Sequence, residues 1–178
     1  MKSLLKAGLT LSALALPLAA HAALAVGAKA PTFDTQVSLA GKPSAFSLAT
    51  ALKKGPVVLY FYPAAFTKGC TIEAHEFAEA TDDFHKLGAT VIGMSADPIE
   101  KLNRFSVEEC RNKFAVGVAS PKVIADYDVK FPVAPISNRT SYVIAPDGKI
   151  IFAFSALSPV GHVSGTMDAV KAWKASHK

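Results

Sequence analysis

A chain of 178 residues with 51% hydrophobic and 19% charged side chains has the size and balance of one ordinary globular domain, and 11 glycines and 11 prolines are too dispersed for a collagen-like repeat or a long low-complexity linker. The formal charge of +5 comes from 19 Lys+Arg against 14 Asp+Glu, but the longest basic run is Lys53-Lys54, which argues against a nucleic-acid-binding stripe. Two cysteines are too few for a disulfide scaffold or, lacking a nearby histidine pair, for a structural zinc site, and leave redox chemistry, one disulfide or two inert thiols.

Residues 1–22 read as an address. Lys2 and Lys6 precede a charge-free stretch from Ala7 to Ala20, and Ala20-His21-Ala22 is a small-x-small cleavage pattern, the layout of a Sec signal peptide. The stretch is short for a membrane span, which needs about 20 apolar residues, and it carries Pro17. Residues 23–178 are then the mature domain, only mildly basic and predicted to be periplasmic or secreted, where disulfides persist.

Thr32–Ser38 and Ala45–Leu48 alternate weakly and are predicted as short edge strands around a Gly41-Lys42-Pro43 turn. Pro56–Tyr62 is an unbroken β-branched and aromatic run, the pattern of a strand buried on both faces, and Pro63 ends it. From Thr71 to Leu87 the apolar Phe77, Ala80, Phe84 and Leu87 recur at helical spacing before the stop Gly88. A second buried strand follows at Ala89–Met94. Asp97-Pro98 then opens a helix to about Phe114, with Asp97 expected as N-cap. Further on, Val116–Ala119 reads as a short strand, Pro121–Tyr127 as a short helix and Phe131–Ile136 as a Pro-rich crossing. A hairpin turns at Pro146-Asp147-Gly148, and a last helix spans about Val163–Ala175. A βαβα half joined to a ββα half predicts an α/β chain of thioredoxin-like architecture, a mixed central sheet flanked by helices.

The Pro63–Cys70 stretch joins a buried strand to an amphipathic helix and puts Cys70 in that helix's first turn. Free N–H groups and the positive end of the helix dipole favour an anion there, and the thiolate is the relevant one; Lys68 adds positive charge. A buried cysteine that merely fills space is the alternative. On these residues the chain resembles the peroxiredoxins. Pro63, Thr67 and Cys70 match the family's P-x-x-x-T-x-x-C signature, and Tyr60-Phe61-Tyr62, Thr71 and Glu73 are most similar to the Q-type, bacterioferritin-comigratory branch, with Arg139 at the place of the family's active-site arginine. The resemblance runs from about Ala28 to the C-terminus. It implies reduction of hydrogen peroxide or organic hydroperoxides by a peroxidatic Cys70 through a sulfenic acid, regeneration by an external thiol or thioredoxin-like reductant, no metal and no other cofactor, and a monomer or dimer.

A reactive thiolate is not enough for that activity. Dropping a thiol's pKa from about 8.5 to about 6 raises its ionised fraction roughly thirtyfold at pH 7 but lowers its nucleophilicity roughly thirteenfold, leaving about two- to threefold. The larger contribution must come from fixed donors at the breaking O–O bond. Arg139, the Thr67 hydroxyl and the loop N–H groups are the candidates, with Pro63 shielding the sulfur and Glu73 either orienting Arg139 or standing as a solvated helix carboxylate. Many Q-type members carry a resolving cysteine five residues on, where this chain has His75. Cys110 is the alternative resolving thiol; on the Asp97–Phe114 helix it shares a face with Ile99, Leu102, Ser106 and Phe114, so it points inward and is either a resolver released by local unwinding or an inert core thiol. No histidine is assigned a function, and Trp173 is read as core. The competing functional classes are a thioredoxin-fold disulfide oxidoreductase, which normally has a C-x-x-C pair, and a non-catalytic thiol-binding domain with a Cys70–Cys110 disulfide.

Overall fold

The computed structural model describes residues 23–177; the predicted signal peptide lies outside the described residues. The chain runs β1 (Asp34–Leu39), β2 (Lys42–Ser47), α1 (Leu48–Leu52), β3 (Val57–Phe61), α2 (Lys68–Lys86), β4 (Thr90–Ser95), α3 (Ile99–Glu108), β5 (Ala115–Val118), α4 (Pro121–Asp126), β6 (Thr140–Ile144), β7 (Ile150–Ser155) and α5 (His162–Ser176). The strands form one sheet in the order β2-β1-β5-β4-β3-β6-β7, with β3, β4 and β5 mutually parallel and the others antiparallel to their neighbours.

The unbroken apolar run of β3 needs cover on both faces, and alternation along the strand supplies it. Val58, Tyr60 and the following Tyr62 join the cluster that holds Phe77 of α2, Leu102 of α3 and Val170 of α5. Val57, Leu59 and Phe61 join the opposite cluster, with Leu48 of α1 and Val123 and Ile124 of α4. Burying each such side chain contributes roughly 1.5–3 kcal/mol, so the sheet centre is the most strongly held part of the fold.

Four local expectations are corrected. Leu48, expected to close the second strand, instead opens the short helix α1, where Leu48 and Leu52 lie four residues apart and both are buried; five residues give too little periodicity to read. In α3, Pro98 rather than Asp97 takes the N-cap place, because the Asp97 carboxylate accepts from Ala65 N (2.7 Å) and Ser95 Oγ (2.9 Å) and pairs with Lys101 Nζ (2.7 Å). The same helix stops at Glu108, well short of Phe114: Arg111 and Asn112 adopt φ of 52° and 60°, the left-handed region that breaks a helix. Cys110 therefore sits just past α3, still buried, its N–H donating to Phe105 O at 3.0 Å. Trp173 is half-buried and stacks on His177 with ring centroids 4.7 Å apart; it is not core.

Candidate active site

The site lies at the carboxyl end of β3, where the sheet changes from parallel pairing with β4 to antiparallel pairing with β6, a place where α/β sheets open a crevice. Register fixes what meets there. Phe61 is paired with Thr140, so Arg139, one residue before β6, emerges beside the loop that leaves β3. That loop turns through Phe66, whose φ of 67° is unusual for a bulky residue. Two anchors hold it: Asp97 accepts from Ala65 N, and the Phe66 ring packs edge-on to Phe105 (5.2 Å) with the Arg104 guanidinium over it (5.2 Å). The helix that follows starts at Lys68, three residues earlier than its apolar periodicity suggests, with Thr67 as N-cap. Cys70 thus falls in the first turn, 1% exposed.

Arg139 is the hub. Its Nη2 donates to Cys70 Sγ at 3.4 Å, its Nε to Leu157 O at 2.9 Å and its Nη1 to Glu73 Oε2. All three arms of the rigid guanidinium fork are used, which fixes its plane beside the sulfur. Gly69 makes room for it, since a Cβ there would stand 3.0 Å from Nη2. Burial works against the Arg139 charge, but Glu73 and Cys70 more than offset it and raise its pKa. Burial pushes the Glu73 carboxyl up to about 8, Arg139 opposing; a group with no exposed surface loses more hydration than one guanidinium returns.

The structure brings Cys70, Arg139 and Glu73 together and places Pro63 and Thr67 on the segment that joins β3 to α2. Glu73 is not a solvated carboxylate. The Thr67 hydroxyl is exposed and donates to Ala64 O at 2.9 Å, so it does not reach the Cys70–Arg139 pair in this arrangement. Cys110 stands apart: it is fully buried, and burial together with Glu109 raises its thiol pKa well above the ordinary value. Both cysteines are free thiols. His75 bonds Glu109 at 2.7 Å through Nε2. Among the described residues no cluster of three or more His, Cys, Asp or Glu is disposed to hold a metal ion, and no helix is long and apolar enough to cross a membrane.

His162 was not foreseen. It opens α5 and is fully buried behind Glu73, with Nδ1 2.8 Å from Ser141 Oγ and 3.6 Å from Glu73 Oε1, and Nε2 3.1 Å from Ala156 O. The only sequence signal was the Gly161 that precedes it, which takes φ 94° and turns the chain into the helix.

The AhpC/TSA family pattern matches residues 26–153. The chain belongs to this family of peroxiredoxins. It is 32% identical to Peroxiredoxin Bcp of Escherichia coli over 127 residues, 68% of this chain and 79% of that protein. It is 29% identical to Peroxiredoxin Bcp of Xanthomonas campestris over 157 residues, 80% of this chain and 92% of the other. Among solved structures, peroxidoxin BcpB from Mycobacterium tuberculosis superposes with a TM-score of 0.70 at 31% identity, covering 83% of this chain and 96% of that one. The reduced 2-Cys peroxiredoxin of Plasmodium vivax superposes with a TM-score of 0.75 at 22% identity over 85% and 98% of the two chains and shows the shared thioredoxin-like fold. The predicted fold class and family are thereby borne out, and the relatives' Bcp names agree with the Q-type resemblance.

Proposed function

We propose that this peroxiredoxin reduces hydrogen peroxide or organic hydroperoxides through Cys70, in an exported compartment. The observation that carries the reading is the guanidinium of Arg139 at 3.4 Å from the Cys70 sulfur in the first turn of α2. The thiolate attacks the distal peroxide oxygen: an S–O bond forms, the O–O bond breaks, and the proximal oxygen leaves as water or alcohol after taking a proton. Sulfur is oxidised by two electrons to the sulfenic acid and the peroxide is reduced by the same two. Arg139 holds the anion before attack and faces the oxygens as charge moves onto them; Thr67 rotates from Ala64 O to donate to the substrate; Pro63 keeps water off the sulfur.

Regeneration needs a thiol that can ionise and reach Cys70. A buried Cys110 with a raised pKa does neither while α2 and the segment after α3 stay packed, so an external thiol or thioredoxin-like protein condenses with the sulfenic acid, and Cys110 acts only after local opening. The charge and apolar pattern of residues 1–22 support export. Peroxide consumption with an added dithiol tests the catalytic reading: Cys70→Ser is expected to abolish it, and consumption at the wild-type rate by that variant refutes the assignment. Amino-terminal sequencing of protein recovered outside the cytoplasm is expected to begin at Ala23; full-length chain retained inside contradicts export.

A further inference from the structure

Behind Arg139 lies a polar cluster that peroxide reduction does not explain. The site gathers two groups that become anions, Cys70 and Glu73, around one guanidinium, all nearly or fully buried. With both ionised, the cluster carries an uncompensated buried negative charge, which is costly away from water. Glu73 Oε2 accepts from Arg139, but Glu73 Oε1 has no hydrogen-bond partner although it is fully buried. The nearest ring nitrogen is Nδ1 of His162, at 3.6 Å.

The state of that nitrogen follows from hydrogen-bond direction. Ala156 O can only accept, so Nε2 of His162 carries the hydrogen in the 3.1 Å bond. Burial, with Arg139 adding to it and the Ala156 carbonyl opposing, pulls the His162 pKa down to about 4, so the ring is neutral and Nδ1, which carries no hydrogen, accepts the Ser141 hydroxyl hydrogen. Glu73 Oε1 therefore faces a nitrogen with no hydrogen to give and a partial negative charge, while the nearby Ser141 hydroxyl is held by the ring, so nothing on this side stabilises a carboxylate. The remaining ionisable groups around Glu73 do not reverse this: Glu76 on α2 adds negative charge and Tyr60 of β3 is held neutral by burial, leaving Arg139 as the cation.

We propose that His162 is a positioning residue that keeps Glu73 as the neutral acid, by facing Oε1 with a nitrogen that carries no hydrogen and by holding the Ser141 hydroxyl away from it, so that the single guanidinium of Arg139 is committed to the sulfur of Cys70. Neutral Glu73 still accepts from Arg139 through Oε2 and orients it, but it no longer competes with the thiolate for its charge. The inference rests on Cys70 being the working nucleophile, and its test uses no peroxide, so the two readings fail separately.

The test is the pH profile of Cys70 alkylation by iodoacetamide in a two-by-two set: wild type, His162→Leu, Glu73→Gln and the double variant, each with Cys110→Ser. His162→Leu removes the nitrogen that holds the Ser141 hydroxyl and frees that hydroxyl to stabilise a Glu73 carboxylate. Its alkylation midpoint is expected to rise by about one pH unit, about tenfold slower alkylation on the acid side. Glu73→Gln is neutral at every pH and keeps a carbonyl oxygen for Arg139; in that background His162→Leu is expected to change the rate less than about twofold. An equal shift in both backgrounds means that His162 only braces the 155–157 segment and overturns the proposal, as does no shift in either. Should the leucine variant not fold, carbon-13 NMR of the Glu73 carboxyl in the wild-type protein decides: a protonated carboxyl at pH 6.5 supports the inference, and a carboxylate at that pH refutes it.

Discussion

Replacing Glu73 by Gln should change how the stability of the fold depends on pH, and the expected change follows from two buried groups with opposite signs. Glu73 is raised from an ordinary 4.5 to about 8, so the folded state holds a proton that the unfolded chain releases. Its contribution is fully present below pH 4.5 and is lost as pH rises to about 8, at about 1.4 kcal/mol per pH unit. His162 is lowered from 6.5 to about 4, so the unfolded chain binds a proton that the folded one refuses. Its contribution is present above pH 6.5 and is lost as pH falls to about 4. The two slopes cancel between pH 4.5 and 6.5; above pH 6.5 only the Glu73 slope remains, a fall of about 2 kcal/mol by pH 8. For a domain of this size that is about 4–8 °C in Tm.

Urea unfolding at pH 5, 6.5 and 8 measures this directly. A Cys70→Ser background removes the sulfur's own titration, and the buried Cys110 adds a slope of the same sign only near and above the ordinary thiol pKa of about 8.5. The parent is expected to be level from pH 5 to 6.5 and to lose about 2 kcal/mol by pH 8. Adding Glu73→Gln leaves the His162 slope alone, so that variant rises by about 2 kcal/mol from pH 5 to 6.5 and is level beyond. A parent whose stability holds or increases from pH 6.5 to 8, or a Gln variant that keeps the parent's fall, refutes the reasoning.

Arg139→Met removes the cation beside Cys70 and is expected to slow both alkylation at pH 6 and peroxide reduction by about a hundredfold, read by stopped-flow; rates within threefold of wild type contradict it. Gly69→Ala places a methyl group 3.0 Å from Arg139 Nη2 and should cut kcat/KM for peroxide by about tenfold while leaving Tm unchanged or higher, because alanine favours the helix. Gly93→Ala drives a Cβ to 2.7 Å from the Tyr60 Cζ and hydroxyl in the sheet centre and should cost about 1–3 kcal/mol in urea unfolding. In the reduced native protein Cys70 should react with a maleimide in preference to Cys110, which becomes equally reactive only in denaturant; mass mapping of labelled peptides checks this.

What the residues revealed beforehand depended on how local the signal was. β3 was legible because a buried central strand needs an unbroken apolar run, and Cys70 because a strand, a Pro-bounded loop and an amphipathic helix leave a thiol in the first turn wherever tertiary packing puts it. Arg139 carried no local signal and was reached through family resemblance; what places it at the sulfur is the Phe61–Thr140 register, a contact between strands far apart in sequence. Asp97 had the composition of an N-cap and went to the active-site loop instead, a tertiary hydrogen bond overriding a local preference. The helical period of Cys110 points inward, as the structure has it, but places it within the helix, because Arg111 and Asn112 show no turn signal strong enough to mark the left-handed break. His162 was invisible for a related reason: a lone histidine reads the same on a surface as behind a carboxylate, and only the packing of α5 onto β6 separates the two.

The central claim is that peroxide oxygen is delivered to the sulfur of Cys70. Intact-mass and peptide analysis of the reduced protein after one equivalent of hydrogen peroxide, with a sulfenic-acid trap present, tests it most directly. The wild-type protein is expected to carry the trap on Cys70, or a Cys70–Cys110 disulfide where trapping is outrun, and Cys70→Ser is expected to stay unmodified. Peroxide consumed with Cys70 still a free thiol, or the trap found on Cys110 alone, contradicts the account.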